Sequence, residues 1–579
     1  MTMNTPRLQI GRDFLPLCQK ILDSPYFLAL LAGLWPIAFY ASHNWFMFEP
    51  SRIPFIIGTF TSIIWLALSL FYLVLSQLWR RVFNHNQSKA VLRLFVFVSI
   101  LVMAYLLRRT FLPMASIQSG SGSPNVPLVV FLVMVMLIAS TVAWFIPRVQ
   151  IFRLNIVLAV MSIPILGMGL NSIISTRSSP TIFPRTETGF DAKEDARQAI
   201  YAQVRFSRKP NVYYIVPDGY PNAEALKTIF NLDATDFLGR LESSGFTIYP
   251  STFSNYADTM SSMSSLLGTD HHYYRGSVGN LEFLDARKFI VSAEHPVGKS
   301  FRNNGYQIHY IHQDGFLFSS GCFVDSCWPM PFWGSDEFLD LLVSPRLRSK
   351  LLPARVSEPI TATGGVPKDE QTRSEFIQRA LEHVDSMSER HIPHFTYVHL
   401  DLPGHSLPGP QTLEQLASFR KGYGKDIQRA NAEILSIVSH ILTRDPNALI
   451  IVNADHGAWG YGNILYLEKE LLLDTADYLK GLDHLGALLA IRWPDAAHGY
   501  DQGLRTNVNL FSHIVSYLSE SKDVLATKVP DDGFVWMKVE GQKKVWQVMN
   551  DGRVLEHMVE VDPVTGRLLA GDDRRLRGQ

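Results

Sequence analysis

Two kinds of residue in this chain stand where chemistry could be done: aspartates and histidines at the ends of apolar runs, and a threonine at the start of a helical pattern. The densest case is 448–457, Ala-Leu-Ile-Ile-Val-Asn-Ala-Asp-His-Gly. Its β-branched run reads as a buried parallel strand that delivers Asp455 and His456 at its carboxyl end. Open α/β sheets place their ligand sites at that edge. A carboxylate oxygen beside an imidazole nitrogen suits a borderline divalent cation. The same pair is also an ordinary cap and turn, so alone it decides nothing.

Other runs end alike. Asp218 follows Asn-Val-Tyr-Tyr-Ile-Val-Pro and precedes a glycine that permits a tight turn. Asp401 and His405 stand in Val-His-Leu-Asp-Leu-Pro-Gly-His, just after the run 394–400, and His498 lies in Asp-Ala-Ala-His-Gly-Tyr-Asp downstream of another run. Singly each has a structural reading; together they predict a metal-binding edge. Thr259 is the candidate nucleophile. Met260, Met263, Leu266 and Leu267 recur at helical spacing, so a helix starts at or just before it. A helix N-terminus favours a bound phosphate, and a metal could lower the hydroxyl pKa. The alternative is that Thr259 merely caps the helix, with Asp258 as the other cap. Asp270, His271 and His272 follow this helix and could line the site.

The elements that must position these groups alternate. Strands are predicted at 211–217, 306–312, 394–400, 448–454 and 486–492, and helices near 222–244, 260–268, 367–390, 412–442 and 507–519. Such alternation implies βαβ units and a parallel-rich sheet covered by helices. This globular domain spans 209–524, and 525–579 adds a small β element with strand-like Gly533–Val539 and Lys544–Met549.

The 579 residues carry 53 basic and 53 acidic side chains, so no global field points to nucleic acid. Apolar content is concentrated before residue 175, the pattern of a membrane domain joined to a soluble one. Five stretches, near 26–47, 53–78, 91–111, 127–146 and 154–173, approach or exceed the roughly 20 residues that cross a bilayer. Arg7, Arg12 and Lys20 form a basic leader. Arg80, Arg81, Lys89, Arg93, Arg148 and Arg153 mark cytoplasmic loops, against Arg52, Arg108 and Arg109 on the other side. The N-terminus is therefore cytoplasmic, and everything after about residue 175 lies outside. Arg108 and Arg109 could meet a lipid phosphate there or simply snorkel. The stretch 116–127 is flexible by composition, and 174–208 reads as a linker. Outside the cytoplasm Cys322 and Cys327, flanking Phe-Val-Asp-Ser, predict a small-loop disulfide; Cys18 precedes the first span.

Taken in order, Asp218, Thr259 and Asp455-His456-Gly457 resemble the alkaline phosphatase superfamily in its sulfatase-like branch. Five spans before an external domain look like lipoteichoic acid synthase and the lipid A phosphoethanolamine transferases. The resemblance covers about 210–515. It implies that Asp218, Thr259, Asp455 and His456 hold a first zinc or manganese ion, with Thr259 as nucleophile. Asp401, His405 and His498 are similar to second-metal motifs of nucleotide pyrophosphatases/phosphodiesterases, or contact substrate. The Cys-x-Pro-x-Arg of true sulfatases is absent, so Thr259 points to phosphorus esters. The implied protein is a multi-pass bacterial inner-membrane phosphotransferase with its catalytic domain in the periplasm. It would move phosphoglycerol or phosphoethanolamine from a phospholipid to an envelope glycan or lipid. A hydrolase of the same superfamily and a catalytically dead scaffold are the alternatives.

Overall fold

The computed structural model describes residues 19–43, 53–82, 88–119, 136–137, 139–141, 143, 151–160, 191–274, 289–313, 324–329, 370–388, 392–406, 412–462, 477–495, 499–539, 542–563 and 566–569. They fall into two compact units, one before residue 180 and one from it onward.

The first unit is helical, with helices Pro25–His43, Ile53–Val82 and Ser88–Ser119. Leu28, Phe60, Phe95, Leu106 and Ile151 share its core. Its outward face is also apolar, with Leu66 and Leu70 exposed. Ile57–Val82 and Lys89–Leu106 are long and apolar enough to cross a membrane; Pro25–Phe39 and Ile151–Val160 are shorter apolar helices. Five spans are predicted; among the described residues two meet that test, and most of the fourth and fifth stretches lies outside them. The third helix continues to Ser119, so residues 116–119, flexible by composition, are helical.

The second unit follows the alternating pattern. In chain order it contains α1 (Asp191–Gln203), β1 (Val212–Pro217), α2 (Ala223–Phe230), α3 (Thr235–Ser243), β2 (Thr247–Ile248), α4 (Thr259–Gly268) and α5 (Pro296–Asn303). Then come β3 (Gln307–His312), β4 (Ser326–Pro329), α6 (Glu370–Ser388), β5 (His394–Leu400), α7 (Leu413–Arg444), β6 (Leu449–Asn453), α8 (Asp477–Leu485), β7 (Leu489–Arg492) and α9 (Leu510–Ser519). The seven strands order as β2-β7-β6-β1-β5-β3-β4. β1 pairs in parallel with β5 and β6, and β3 with β4 and β5, while β7 is antiparallel to both β6 and β2. The sheet is mostly parallel, as expected.

Side-chain alternation sorts each strand between two cores. Tyr213, Ile215, Ile450 and Val452 pack on one face, and Tyr214, Val216, Leu449 and Ile451 on the other. Burial on both faces explains the continuous apolar runs. Each such Ile, Val or Leu contributes about 1.5–3 kcal/mol. β5 and β6, consecutive in the chain, lie on opposite sides of β1, so a crevice opens at the carboxyl ends of these three strands.

Two expectations are corrected here. The predicted 222–244 helix is two, broken where Asn231 turns left-handed at φ 54° after α2. The 174–208 linker contains α1, which is built into the domain. Tyr201 is buried and hydrogen-bonds Ser512. Arg197 pairs with Asp270 at 2.6 Å and donates to the Thr269 carbonyl just past α4. The polar sequence of α1 carries few apolar residues, so its helical face does not show as a hydrophobic stripe. The C-terminal part forms an antiparallel three-stranded sheet, β8 (Gly533–Val539), β9 (Gln542–Asn550) and β10 (Arg553–Val561). It is joined to the large domain through Phe534, which pairs with Tyr256 beside α4.

Candidate active site

Asp218 is the first residue past β1 and is buried. The next residue must bend sharply: Gly219 has φ +64°, and a Cβ on it would lie 2.8 Å from the Gly404 carbonyl. That bend aims the Gly219 N–H at Asp455 Oδ1, 2.9 Å away. The same oxygen accepts from the His456 N–H at 2.9 Å. Asp455 Oδ2 is buried and has no close hydrogen-bond partner; it faces His456 Nε2 at 3.4 Å. The loop after β6 is pinned from behind, where Ser262 of α4 donates to the Asp455 carbonyl at 2.5 Å and Asn507 to that of Ala454 at 2.9 Å.

Thr259 is the first residue of α4, and the capping role belongs to Asp258, whose carboxylate accepts from the Ser261 N–H at 2.9 Å. The Thr259 hydroxyl is therefore released from capping. It lies 3.3 Å from His456 Nε2.

Proton positions follow from the partners. His456 Nδ1 is 2.8 Å from the Gly457 carbonyl, and His405 Nδ1 is 2.8 Å from that of Ser406. A carbonyl only accepts, so each Nδ1 carries a proton and Nε2 is the nitrogen left to face the crevice. Both Nε2 atoms face Asp218, that of His456 at 3.5 Å and that of His405 at 3.8 Å. Loss of solvation, then the nearby His456, drive His405 down to about 4, so its ring is neutral at pH 7. Asp455 is below its ordinary value. Burial, the largest single influence, raises it, but His456, His399, the Gly219 N–H and the Thr259 hydroxyl together outweigh that.

These distances fit a small cation. Tetrahedral zinc with bonds of ~2.0–2.1 Å sets its donor atoms ~3.3–3.4 Å apart. Around His456 Nε2, Thr259 Oγ1, Asp455 Oδ2 and Asp218 Oδ1 lie at 3.3, 3.4 and 3.5 Å. Among the described residues two groups of side chains could hold a metal ion, Asp218 with His405 and His456, and Asp218 with His399 and Asp455, so Asp455 and His456 fall in two groups that share Asp218.

The other expected site residues divide. Asp401 follows β5 and joins neither group; its N–H donates to Gln313 Oε1 at 2.9 Å. His498 and Cys322 lie outside the described residues, while Cys327 is disulfide-bonded. His271 and His272 brace the loop after α4, each with both ring nitrogens engaged. His271 uses Tyr256 and the Pro530 carbonyl, and His272 uses the Ser261 carbonyl and the Tyr274 N–H. Asp270 pairs with Arg197. Arg108 and Arg109 belong to the helix Ser88–Ser119 of the other unit, where their side chains are outside the described residues.

Sequence reasoning missed three contributors. Trp459 packs on His405 and His456, with ring centroids 4.0 and 5.4 Å away, and donates to the Ala257 carbonyl at 2.8 Å. Asp483 accepts from the Gly460 and Tyr461 N–H groups at 2.7 and 2.8 Å and is pushed by burial up to about 7. His399 lies in a run read only as strand. Its signal was its parity: period-two spacing puts it on the same strand face as Tyr397 and Asp401.

No family model and no curated protein matches the chain. Solved structures do. The integral membrane lipooligosaccharide phosphoethanolamine transferase A (EptA) of Neisseria meningitidis is similar at 12% identity and a TM-score of 0.34, over 86% of this chain and 95% of that one. The phosphonate monoester hydrolase of Silicibacter pomeroyi is similar at 12% identity and a TM-score of 0.40, over 64% and 93%. The C-terminal periplasmic domain of EcEptC from Escherichia coli, in complex with Zn, is similar at 10% identity and a TM-score of 0.34, over 54% and 83%. At such TM-scores the likeness concerns fold at most, and the chemistry rests on the crevice itself.

Proposed function

We propose that this chain is a membrane-embedded, metal-dependent phosphotransferase. It would take a phospho-head group, phosphoglycerol or phosphoethanolamine, from a phospholipid and pass it to an envelope glycan or lipid through a phosphothreonine at Thr259. The observation that carries this reading is the placement of the Thr259 hydroxyl, relieved of capping by Asp258 and 3.3 Å from His456 Nε2. Asp218, Asp455, His456 and Thr259 are the residues that would hold the ion. When bound, a divalent cation supplies Lewis-acid stabilisation and lowers the hydroxyl pKa.

Thr259 Oγ forms the new bond to phosphorus as the bond to the lipid alcohol breaks, and diacylglycerol leaves with a proton. An acceptor hydroxyl then displaces Thr259, giving ping-pong kinetics. The N-terminus of α4 favours the negative charge that gathers there. His405, neutral at pH 7, stands beside Asp218 and can accept a proton at Nε2. The apolar helices before residue 180, with Leu66 and Leu70 outward, suit a lipid surround and a lipid donor. The multi-pass topology and the periplasmic placement of the catalytic domain belong to the same proposal.

The test uses the full chain in detergent with vesicles of phosphatidylglycerol or phosphatidylethanolamine, following diacylglycerol. Metal-dependent release that stops near one equivalent until an acceptor alcohol is supplied is the expected outcome. Continuous release without an acceptor would make the protein a hydrolase. Cleavage of a small phosphodiester with no attack on either lipid would overturn the lipid donor.

A further inference from the structure

Among the described residues three imidazoles stand by the two aspartates, and their hydrogen bonds sort them into two kinds. His456 and His405 donate their Nδ1 protons to carbonyls and turn Nε2 toward Asp218. His399 is arranged the other way. Its Nδ1 lies 2.8 Å from the Tyr397 hydroxyl, and both residues are buried. Among the described residues that hydroxyl has no second hydrogen-bond partner. A buried phenol donates its proton where it can, since an unmet donor costs about 1–3 kcal/mol. Tyr397 therefore donates to Nδ1, and the His399 proton sits on Nε2. With Nδ1 engaged, Nε2 is the nitrogen left for the carboxylates. A ring nitrogen of His399 and one oxygen from each of Asp218 and Asp455 lie within 4.8 Å of one another. Asp455 Oδ2, fully buried, makes no hydrogen bond to His399 or to any other described residue, so His399 acts on the pair through the field of its N–H, not through a formed hydrogen bond.

We infer that His399 is a positioning residue for the cation site: locked by Tyr397 as the Nε2–H tautomer, it presents a donor, not a ligand, to the Asp218–Asp455 pair. The same residue type at one sheet edge thus does two jobs, set by what each Nδ1 touches. The N–H counters repulsion between two buried carboxylates and holds Asp455 in the rotamer that leaves it open to a cation. Stacking on His312, with centroids 5.1 Å apart and planes 4° from parallel, fixes the ring.

This inference rests on the metal reading of the preceding section, so the experiment separates the two. Zinc stoichiometry and affinity are measured by chelator competition on the full chain in detergent, for wild type, His399→Leu, His399→Gln and Tyr397→Phe. Melting in chelator confirms that each variant is folded. Wild type should bind, His399→Leu should bind ~10–100-fold more weakly with unchanged stoichiometry, and His399→Gln, which keeps an N–H donor, should recover most of the loss. Tyr397→Phe, which frees the tautomer, should fall between. Wild type that binds no zinc sinks the metal reading itself. Wild-type binding matched by His399→Leu, or a missing equivalent of zinc in both His399 variants, overturns the positioning role, the second result by making His399 a ligand. A His399→Leu that is unfolded leaves His399→Gln and Tyr397→Phe to decide: wild-type affinity in His399→Gln with weakened binding in Tyr397→Phe supports the role, and the reverse overturns it.

Discussion

The two ends of the seven-stranded sheet use the same residue types for opposite purposes. At the amino ends, Asp385 meets a guanidinium, an imidazole and a hydroxyl donor: Arg444 Nε at 3.3 Å, His440 Nε2 at 3.4 Å and the Tyr213 hydroxyl at 3.2 Å. At the carboxyl ends, the ion-pair partners of Asp218 and Asp455 among the described residues are imidazoles. Burying two carboxylates so close together is costly unless positive charge arrives. The amino-end carboxylate is met by a guanidinium; the carboxyl-end pair, among the described residues, is met by imidazoles, the ring type that also ligates divalent cations. A cluster of Asp and His is therefore read by what stands opposite it, not by its composition.

The sharpest way to break that contrast is Thr259→Ala. Because Asp258 holds the cap, the variant should keep its melting temperature and still bind metal, more weakly for want of one ligand, while losing roughly 10⁴-fold or more in turnover, as removal of an attacking hydroxyl does elsewhere. A large drop in stability would mean that Thr259 is structural after all. Paired substitutions at the two ends sharpen the comparison further. Asp455→Asn should weaken zinc by more than the ~10–100-fold that an outer partner costs, whereas Asp385→Asn should leave zinc content untouched and lower stability by about 1–2 kcal/mol. Equal effects on metal would erase the distinction.

Acid should act through the buried imidazoles. His309, His399, His405, His484 and His513 are each lowered to about 4, chiefly by burial, from an ordinary 6.5. Between those values the unfolded chain binds more protons than the folded one, so stability falls as pH drops from about 6.5 toward 4. Asp483, raised to about 7, and Asp532, also raised, work in the opposite sense but are fewer. Chelated protein melted at stepwise pH checks this; a melting temperature flat or rising toward pH 4 would contradict it. The smallest effect is expected of Asp258→Ala, a cap loss of about 1 kcal/mol. It should cost turnover as well, because Thr259 then becomes free to cap.

The part of the fold that was legible in the chain was the part that is buried twice. The strands at 394–400 and 448–454 were found within a residue, because apolar runs closed by Asp or His leave little else to be. Helix α4 was legible to its first residue through the Met and Leu spacing. Illegible elements owe their order to tertiary contacts. α1 stands on Arg197 and Tyr201, and β4 is only four residues long. In the crevice, Asp218, Thr259, Asp455 and His456 were visible because each ends or begins an element. His399 and Trp459 were not, since one looks like strand and the other like loop until Tyr397, His405 and Ala257 are seen beside them. His271 and His272 show the converse: conspicuous in sequence, they are spent on holding a loop.

The central claim is covalent transfer through Thr259, and intact mass tests it most directly. The full chain, wild type and Thr259→Ala, is exposed to native phospholipid without acceptor, quenched in acid and weighed. An increment on wild type that is absent from Thr259→Ala is the predicted result, and its size would name the head group. Turnover by a metal-loaded wild type with no increment, or the same increment on both proteins, would contradict the account.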